Sequence, residues 1–193
     1  CAVPLNTTLT NASLAGTLRH VEARFLCVGA HFSRSAPALL EQLELVEQVL
    51  TEAPIAAARV HAGMTVAPLP PVRGDEEAPE LELLDQDLAS IVYTSGSTGR
   101  PLGVALTHLN LLANTRSILA YLQLGPEDRA FSLLPLFYIY GASVLNTHIA
   151  VGGSLVLENN FTFVQAALDR LEAFASTEPR LAEHGVVFVK FSL

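Results

Sequence analysis

Residues 91–108 read IVYTSGSTGRPLGVALTH. Ile91-Val92-Tyr93 has the character of a buried strand end, and it runs into Ser95-Gly96-Ser97-Thr98-Gly99, a loop made only of hydroxyl residues and glycine. Arg100 and Pro101 follow, and then a second apolar run, Gly103-Val104-Ala105-Leu106. Glycine lets the backbone turn tightly enough for successive N–H groups to point into one concavity, and hydroxyls add donors around it. A strand feeding such a turn suits a phosphate group. The plain alternative is a Gly/Ser connection with no ligand. Position weighs against the plain connection, because ligands gather at strand ends in open α/β sheets.

Upstream, Ala2 to Asn6 reads as a strand end entering a Thr/Asn-rich turn. Thr10 or Asn11 can cap a helix carrying Leu14, Leu18 and Val21. Phe25-Leu26-Cys27-Val28, closed by Gly29, predicts a buried strand. A helix is expected from about Ala36, with Pro37 in its first turn and Leu39, Leu43, Val46 and Leu50 on one face. A short strand is expected around Ala58 to Val60.

Downstream, Thr107 can cap a long helix carrying Leu111, Leu112, Ile118, Leu119 and Leu122, with Gly125-Pro126 ending it. A strand follows over Ala130 to Leu134, then the segment Pro135 to Gly141, a short helix to Ala150, and a Gly152-Gly153 turn into the strand Ser154 to Leu157. Val164, Ala167, Leu168, Leu171 and Phe174 predict one more helix, and Val186 to Val189 a last strand. This alternation predicts an α/β fold with a largely parallel sheet. By composition the chain divides into a first α/β portion (1–64), an acidic Pro-rich connection (65–87) and the loop-bearing α/β portion (88–193).

A formal charge of −8 argues against nucleic acid or an anionic membrane surface as partner, since both favour clustered basic residues. Cys1 and Cys27 read as buried or incidental thiols without metal-ligand spacing, which suits a reducing cytoplasm. Asp75-Glu76-Glu77 with Glu80, Glu82, Asp85 and Asp87 reads as a solvated loop, because no spacing converges the oxygens on a cation. Ala130 to Leu157 carries no Asp, Glu, Lys or Arg, yet prolines and glycines break it into strand, loop, helix and strand. A sheet core explains that better than a membrane span. The opening Cys-Ala-Val-Pro-Leu, without Met, suggests a piece of a longer chain.

Two well-known phosphate loops do not fit. A Walker loop needs G-x-x-x-x-G-K-[ST], and no Gly-Lys pair exists; a dinucleotide fingerprint needs G-x-G-x-x-G, which is absent. The string YTSGSTGRPLGVALTH instead resembles the phosphate-binding signature of the adenylate-forming superfamily, which includes acyl-CoA synthetases, the amino-acid-activating domains of peptide synthetases, and firefly luciferase. Its usual form is close to YTSG[ST]TGxPKGV followed by Thr-His. AVPLNTTLT resembles the family's VPLNPxLT phrase, LPLFYIYG its LPLFHxxG segment, and Gly152-Gly153-Ser154 the turn that follows. The flavour is nearer acyl-CoA ligases than peptide-synthetase domains.

The resemblance implies the N-terminal portion of an enzyme that joins a carboxylate to AMP, expels pyrophosphate and passes the acyl group to a thiol. ATP, Mg2+ and CoA are the cofactors of the intact family, with a carboxylic acid as substrate. It assigns the β- and γ-phosphates to Thr94, Ser95, Gly96, Ser97, Thr98 and Gly99, with Arg100 beside them. Tyr138 would line the entrance to the acyl pocket and Gly141 let the backbone pass closely beside it; for Tyr138 an ordinary aromatic at a sheet edge is the alternative. His108 would close the motif in a structural role.

The match also breaks. Leu102 stands where the family has lysine, and leucine offers a phosphate neither charge nor donor. Arg100 is the candidate substitute. The family's Tyr-Gly-x-Thr-Glu segment, with its magnesium-binding glutamate, does not occur in these residues, nor does its ribose-holding aspartate; Lys190 is the only lysine, and no catalytic or metal-binding residue is assigned. The expectation is a fragment, truncated or degenerate, that is inactive alone and binds ATP weakly. The rival expectations are a non-catalytic nucleotide- or partner-binding module and a remnant unable to fold.

Overall fold

The computed structural model describes residues 1–56, 60–71, 82–94, 101–132 and 134–157, together with Gln165, Asp169, Glu172 and Ala173, which are helical. It divides into two compact units, Leu5–Leu83 and Cys1–Pro4 with Leu84–Leu193. The helix expected around Val164 to Phe174 lies mostly outside the described residues, and the strand expected at Val186 to Val189 wholly so.

In the unit Leu5–Leu83, helix α1 (Asn11–His20) starts at Thr10, whose Oγ1 accepts the Ser13 N–H at 3.3 Å. Leu14 and Leu18, one turn apart, are buried. Strand β1 (Phe25–Val28) turns Leu26 and Val28 into the core and leaves Phe25 and Cys27 outside. Both cysteines are free and exposed, so Cys27 is an outward strand position and not a buried thiol. Strand β2 (Gln48–Thr51) lies parallel between β1 and β3 (Thr65–Pro68), with Leu26 opposite Val49 and Val49 opposite Val66.

The helix expected to run from Ala36 to Leu50 is corrected here. Helix α2 spans only Ala36–Leu40, and the chain then turns into β2. A helical frame puts Leu50 in the core, whereas the strand frame puts Val49 there, fully buried, with Leu50 half-buried. Burying a valine is worth roughly 1.5–3 kcal/mol, and β1 offers a ladder of backbone groups that needs a partner. Tertiary pairing thus overrides local periodicity, while Leu39, Leu43 and Val46 remain buried without a continuous helix. Arg24 and Glu47 tie the strand entrances together through paired contacts of 2.7 and 2.8 Å, beside the Glu47 N–H to Arg24 C=O bond. Thr65–Pro68 is strand, although the composition placed it in the connection. Of the strand expected around Ala58, residues 57–59 lie outside the described residues and Val60 is irregular.

In the other unit, β4 (Leu88–Thr94) and β5 (Leu102–Thr107) form an antiparallel hairpin, and Ala2 bridges to Ser90 in parallel. Helix α3 (His108–Leu122) begins directly at the end of β5. Thr107 Oγ1 accepts the Asn110 N–H at 3.2 Å and Asn110 Oδ1 accepts the Thr107 N–H at 3.0 Å, a reciprocal cap. The helix stops at Gln123 in a left-handed conformation, ahead of the expected Gly125-Pro126. Strand β6 (Arg129–Ser132), helix α4 (Ile139–Val151) and strand β7 (Ser154–Leu157) form a β-α-β crossover whose strands pair in parallel. Gly152, at φ 74°, ends α4 where only glycine is unstrained. Among the described residues every strand pairing except β4–β5 is parallel, so the α/β class with a largely parallel sheet stands.

Candidate functional site

The hairpin register places the glycine-rich segment. Thr94 pairs with Leu102, so residues 95–101 bridge the open end of β4 and β5. Ser95, Gly96, Ser97, Thr98, Gly99 and Arg100 lie outside the described residues. What the structure supplies is their frame. The chain runs strand, loop, strand, and α3 begins at the opposite end of the hairpin. A Walker loop would open straight into a helix N-terminus; here the loop's immediate successor is β5, so it stands on paired backbone strands instead.

Paired residues of an antiparallel ladder project from the same face. Thr94 and Leu102 therefore share one face with Val92 and Val104, while Tyr93 and Gly103 share the other with Ile91. On the first face Val92 is buried and the positions nearer the loop are open: Thr94 is exposed and Leu102 is 57% exposed. Thr94 Oγ1 sits 3.5 Å from the Leu102 carbonyl, a marginal contact that leaves the hydroxyl available. Whatever side chain stands at 102 thus emerges beside Thr94, at the foot of the loop. Leucine there brings no donor.

On the second face, the Tyr93 ring covers Gly103. A Cβ added to Gly103 would lie 3.0 Å from Ile91 Cγ2 and 3.2 Å from Tyr93 Cζ. Burial pushes the Tyr93 phenol above its ordinary range, so it stays neutral at physiological pH. His108, the first residue of α3, donates its backbone N–H to the Asp87 carbonyl at 3.1 Å, a structural use at a helix start.

Tyr138 is the N-cap position of α4, half-exposed, with its ring tilted against Phe137 at 4.6 Å between centroids. Its N–H donates to the Pro135 carbonyl at 3.1 Å. Gly141 is buried, and a Cβ there would lie 2.5 Å from that same Pro135 oxygen. The backbone that passes close to Gly141 is therefore the turn before α4. Among the described residues no group of three His, Cys, Asp or Glu side chains could hold a metal ion, and no helix is long and apolar enough to cross a membrane.

The sequence signature of the AMP-binding enzymes matches residues 1–181. The chain is 34% identical over 163 residues to the sulfoacetate–CoA ligase of Cupriavidus necator, covering 82% of this chain and 30% of that protein. The anthranilate CoA ligase AuaEII in complex with anthranoyl-AMP shares its fold with a TM-score of 0.70 at 25% identity, over 90% of this chain and 33% of that one. ATP-bound MatB from Rhodopseudomonas palustris does so with a TM-score of 0.57 at 26% identity, over 81% and 29%. The chain spans a third or less of the length of each.

Proposed function

The chain belongs to the AMP-binding enzyme family, and from that premise we propose that it carries the phosphate-holding part of an ATP-dependent acyl- or aryl-CoA ligase. In that reaction a carboxylate oxygen attacks the α-phosphorus of ATP and pyrophosphate leaves. A thiolate then attacks the acyl carbon and displaces AMP. The charge to be held sits on the β- and γ-phosphates, so donors must be fixed in advance around them. Thr94, Ser95, Gly96, Ser97, Thr98, Gly99 and Arg100 are the residues proposed for it, with Tyr138 and Gly141 on the acyl side.

The observation that carries this reading is the family match running through a glycine-rich segment that bridges a paired hairpin. ATP fits the hydroxyl-and-glycine chemistry of that segment. Magnesium finds no cluster of ligands among the described residues, and no step is routed through it. CoA and the carboxylic acid enter as proposed substrates of the whole enzyme.

Leu102 favours a second reading, a nucleotide-binding module without turnover, because it removes the ammonium the family places there. Carboxylate-dependent exchange of pyrophosphate into ATP tests the second reading in one direction, and ATP binding tests both. The 193 residues alone are expected to bind ATP weakly and to catalyse no exchange, having one lysine, Lys190, far from the loop in sequence. Exchange above background would sink the second reading, and absence of any ATP binding by calorimetry would sink both.

A further inference from the structure

Asparagine and serine in helix interiors compete with the backbone for hydrogen bonds and are poor helix formers. Asn114 in α3 and Ser143 in α4 nonetheless stand there, and they meet. Asn114 Nδ2 donates to Ser143 Oγ at 3.1 Å, and Ser143 Oγ donates in turn to the Ile139 carbonyl at 2.9 Å. Ile139 is the first residue of α4 and follows Tyr138, so the relay ends in the first turn of that helix, one residue past the ring.

The other end of the relay is fixed to the hairpin. Thr107 is at once the last residue of β5 and the cap of α3. His108 and Leu109 donate their N–H groups to the Asp87 and Asp85 carbonyls at 3.1 and 2.8 Å, just before β4 begins. Helix α3 therefore moves with the strands that bear the loop. Nearby Thr147, fully buried, spends its hydroxyl on the Ser143 and Val144 carbonyls of its own helix.

We infer that Asn114 and Ser143 are positioning residues that hold the loop-bearing hairpin and the Tyr138 turn at a fixed separation, so that the nucleotide and acyl ends of one bound complex are presented together. This rests on the proposed function for the identity of the two ends. Asn114 is exposed and Ser143 only half-buried, so truncating either strands no buried polar group and the fold survives.

The test is amide NMR on the isotopically labelled chain, with Asn114→Ala, Ser143→Ala and the hydroxyl-keeping Ser143→Thr. Without ligand, both alanine variants are expected to keep the far-ultraviolet spectrum yet shift or broaden the Tyr138 and Leu102 signals. With ATP, the wild-type shift at Tyr138 is expected to fall at least threefold in each alanine variant and to return in Ser143→Thr. Unmoved Tyr138 and Leu102 signals in both folded alanine variants overturn the inference, as does an undiminished ATP response. If ATP moves no signal in the wild type, the nucleotide reading falls, and the ligand-free comparison alone decides the tie.

Discussion

Gly103 and Gly141 are both glycines beside aromatic residues, but what surrounds each one differs. A methyl on Gly103 meets side-chain atoms of Ile91 and Tyr93, which can rotate away by a few tenths of an ångström. A methyl on Gly141 meets the Pro135 carbonyl at 2.5 Å, and backbone cannot yield without displacing the Tyr138 turn. Overpacking costs about 1–3 kcal/mol. Gly141→Ala is expected at the top of that range and Gly103→Ala near the bottom, measured by urea denaturation; equal losses would contradict the distinction. Leu102 is the other decisive residue, because it faces outward beside Thr94 at the foot of the loop. Under the proposed function, an ammonium there would add one charge-assisted hydrogen bond to phosphate, worth roughly 1.5–3 kcal/mol, or about tenfold or more in affinity. Leu102→Lys is expected to tighten ATP binding by that factor in isothermal titration. An unchanged dissociation constant would remove residue 102 from the grip.

At the scale of elements, α3 ends on Gln123 at φ 55°, a conformation that costs an L-residue about 1–2 kcal/mol and glycine almost nothing. Gln123→Gly is expected to raise stability by roughly 0.5–1 kcal/mol, read as a higher melting midpoint, after the greater chain entropy of glycine is subtracted. The pair Arg24–Glu47 ties β1 to β2, and its hydrogen bond holds the Glu47 carboxyl below its ordinary range. A carboxylate depressed in the folded state stabilises above its unfolded pKa, and that contribution is lost as pH falls through the folded value. Arg24→Gln should therefore move the Glu47 titration, followed by carboxyl NMR, upward into the ordinary range; an unmoved midpoint would mean that the pair does not form in solution. Elements bounded by caps and turns were legible in the sequence: Thr10 and Thr107 mark α1 and α3, and Gly152-Gly153 marks the entry to β7. Strand β2 was not, because Leu39, Leu43, Val46 and Leu50 fit helical spacing and only the open edge of β1 decides for Val49. In the site, the loop's residue types were readable, but the contacts of Gly103 with Tyr93 and of Asn114 with Ser143 depend on pairing and packing that linear spacing does not encode.

Across the whole molecule, apolar burial is distributed unevenly between the two units. Among the described residues, twelve of the thirteen buried apolar side chains form one cluster within Leu5–Leu83, and Val92 is the remaining one. The unit that holds the hairpin leaves Leu102, Val104, Leu109, Leu112, Tyr138 and Ile149 more than two-fifths exposed. At about 25 cal/mol per Å² of apolar surface buried, the clustered side chains contribute more to stability than the described side chains of the hairpin do. Local opening free energies follow such differences. Amide hydrogen exchange is therefore expected to be slowest in β1 and β2, at Leu26 and Val49, and faster by at least tenfold in β5, at Val104 and Ala105. A ligand that binds only the folded hairpin slows its opening in proportion to its occupancy. Saturating ATP should accordingly protect β4 and β5 while leaving Leu26 and Val49 nearly unchanged, and uniform protection of both units would show that the nucleotide acts on global stability instead of on the hairpin.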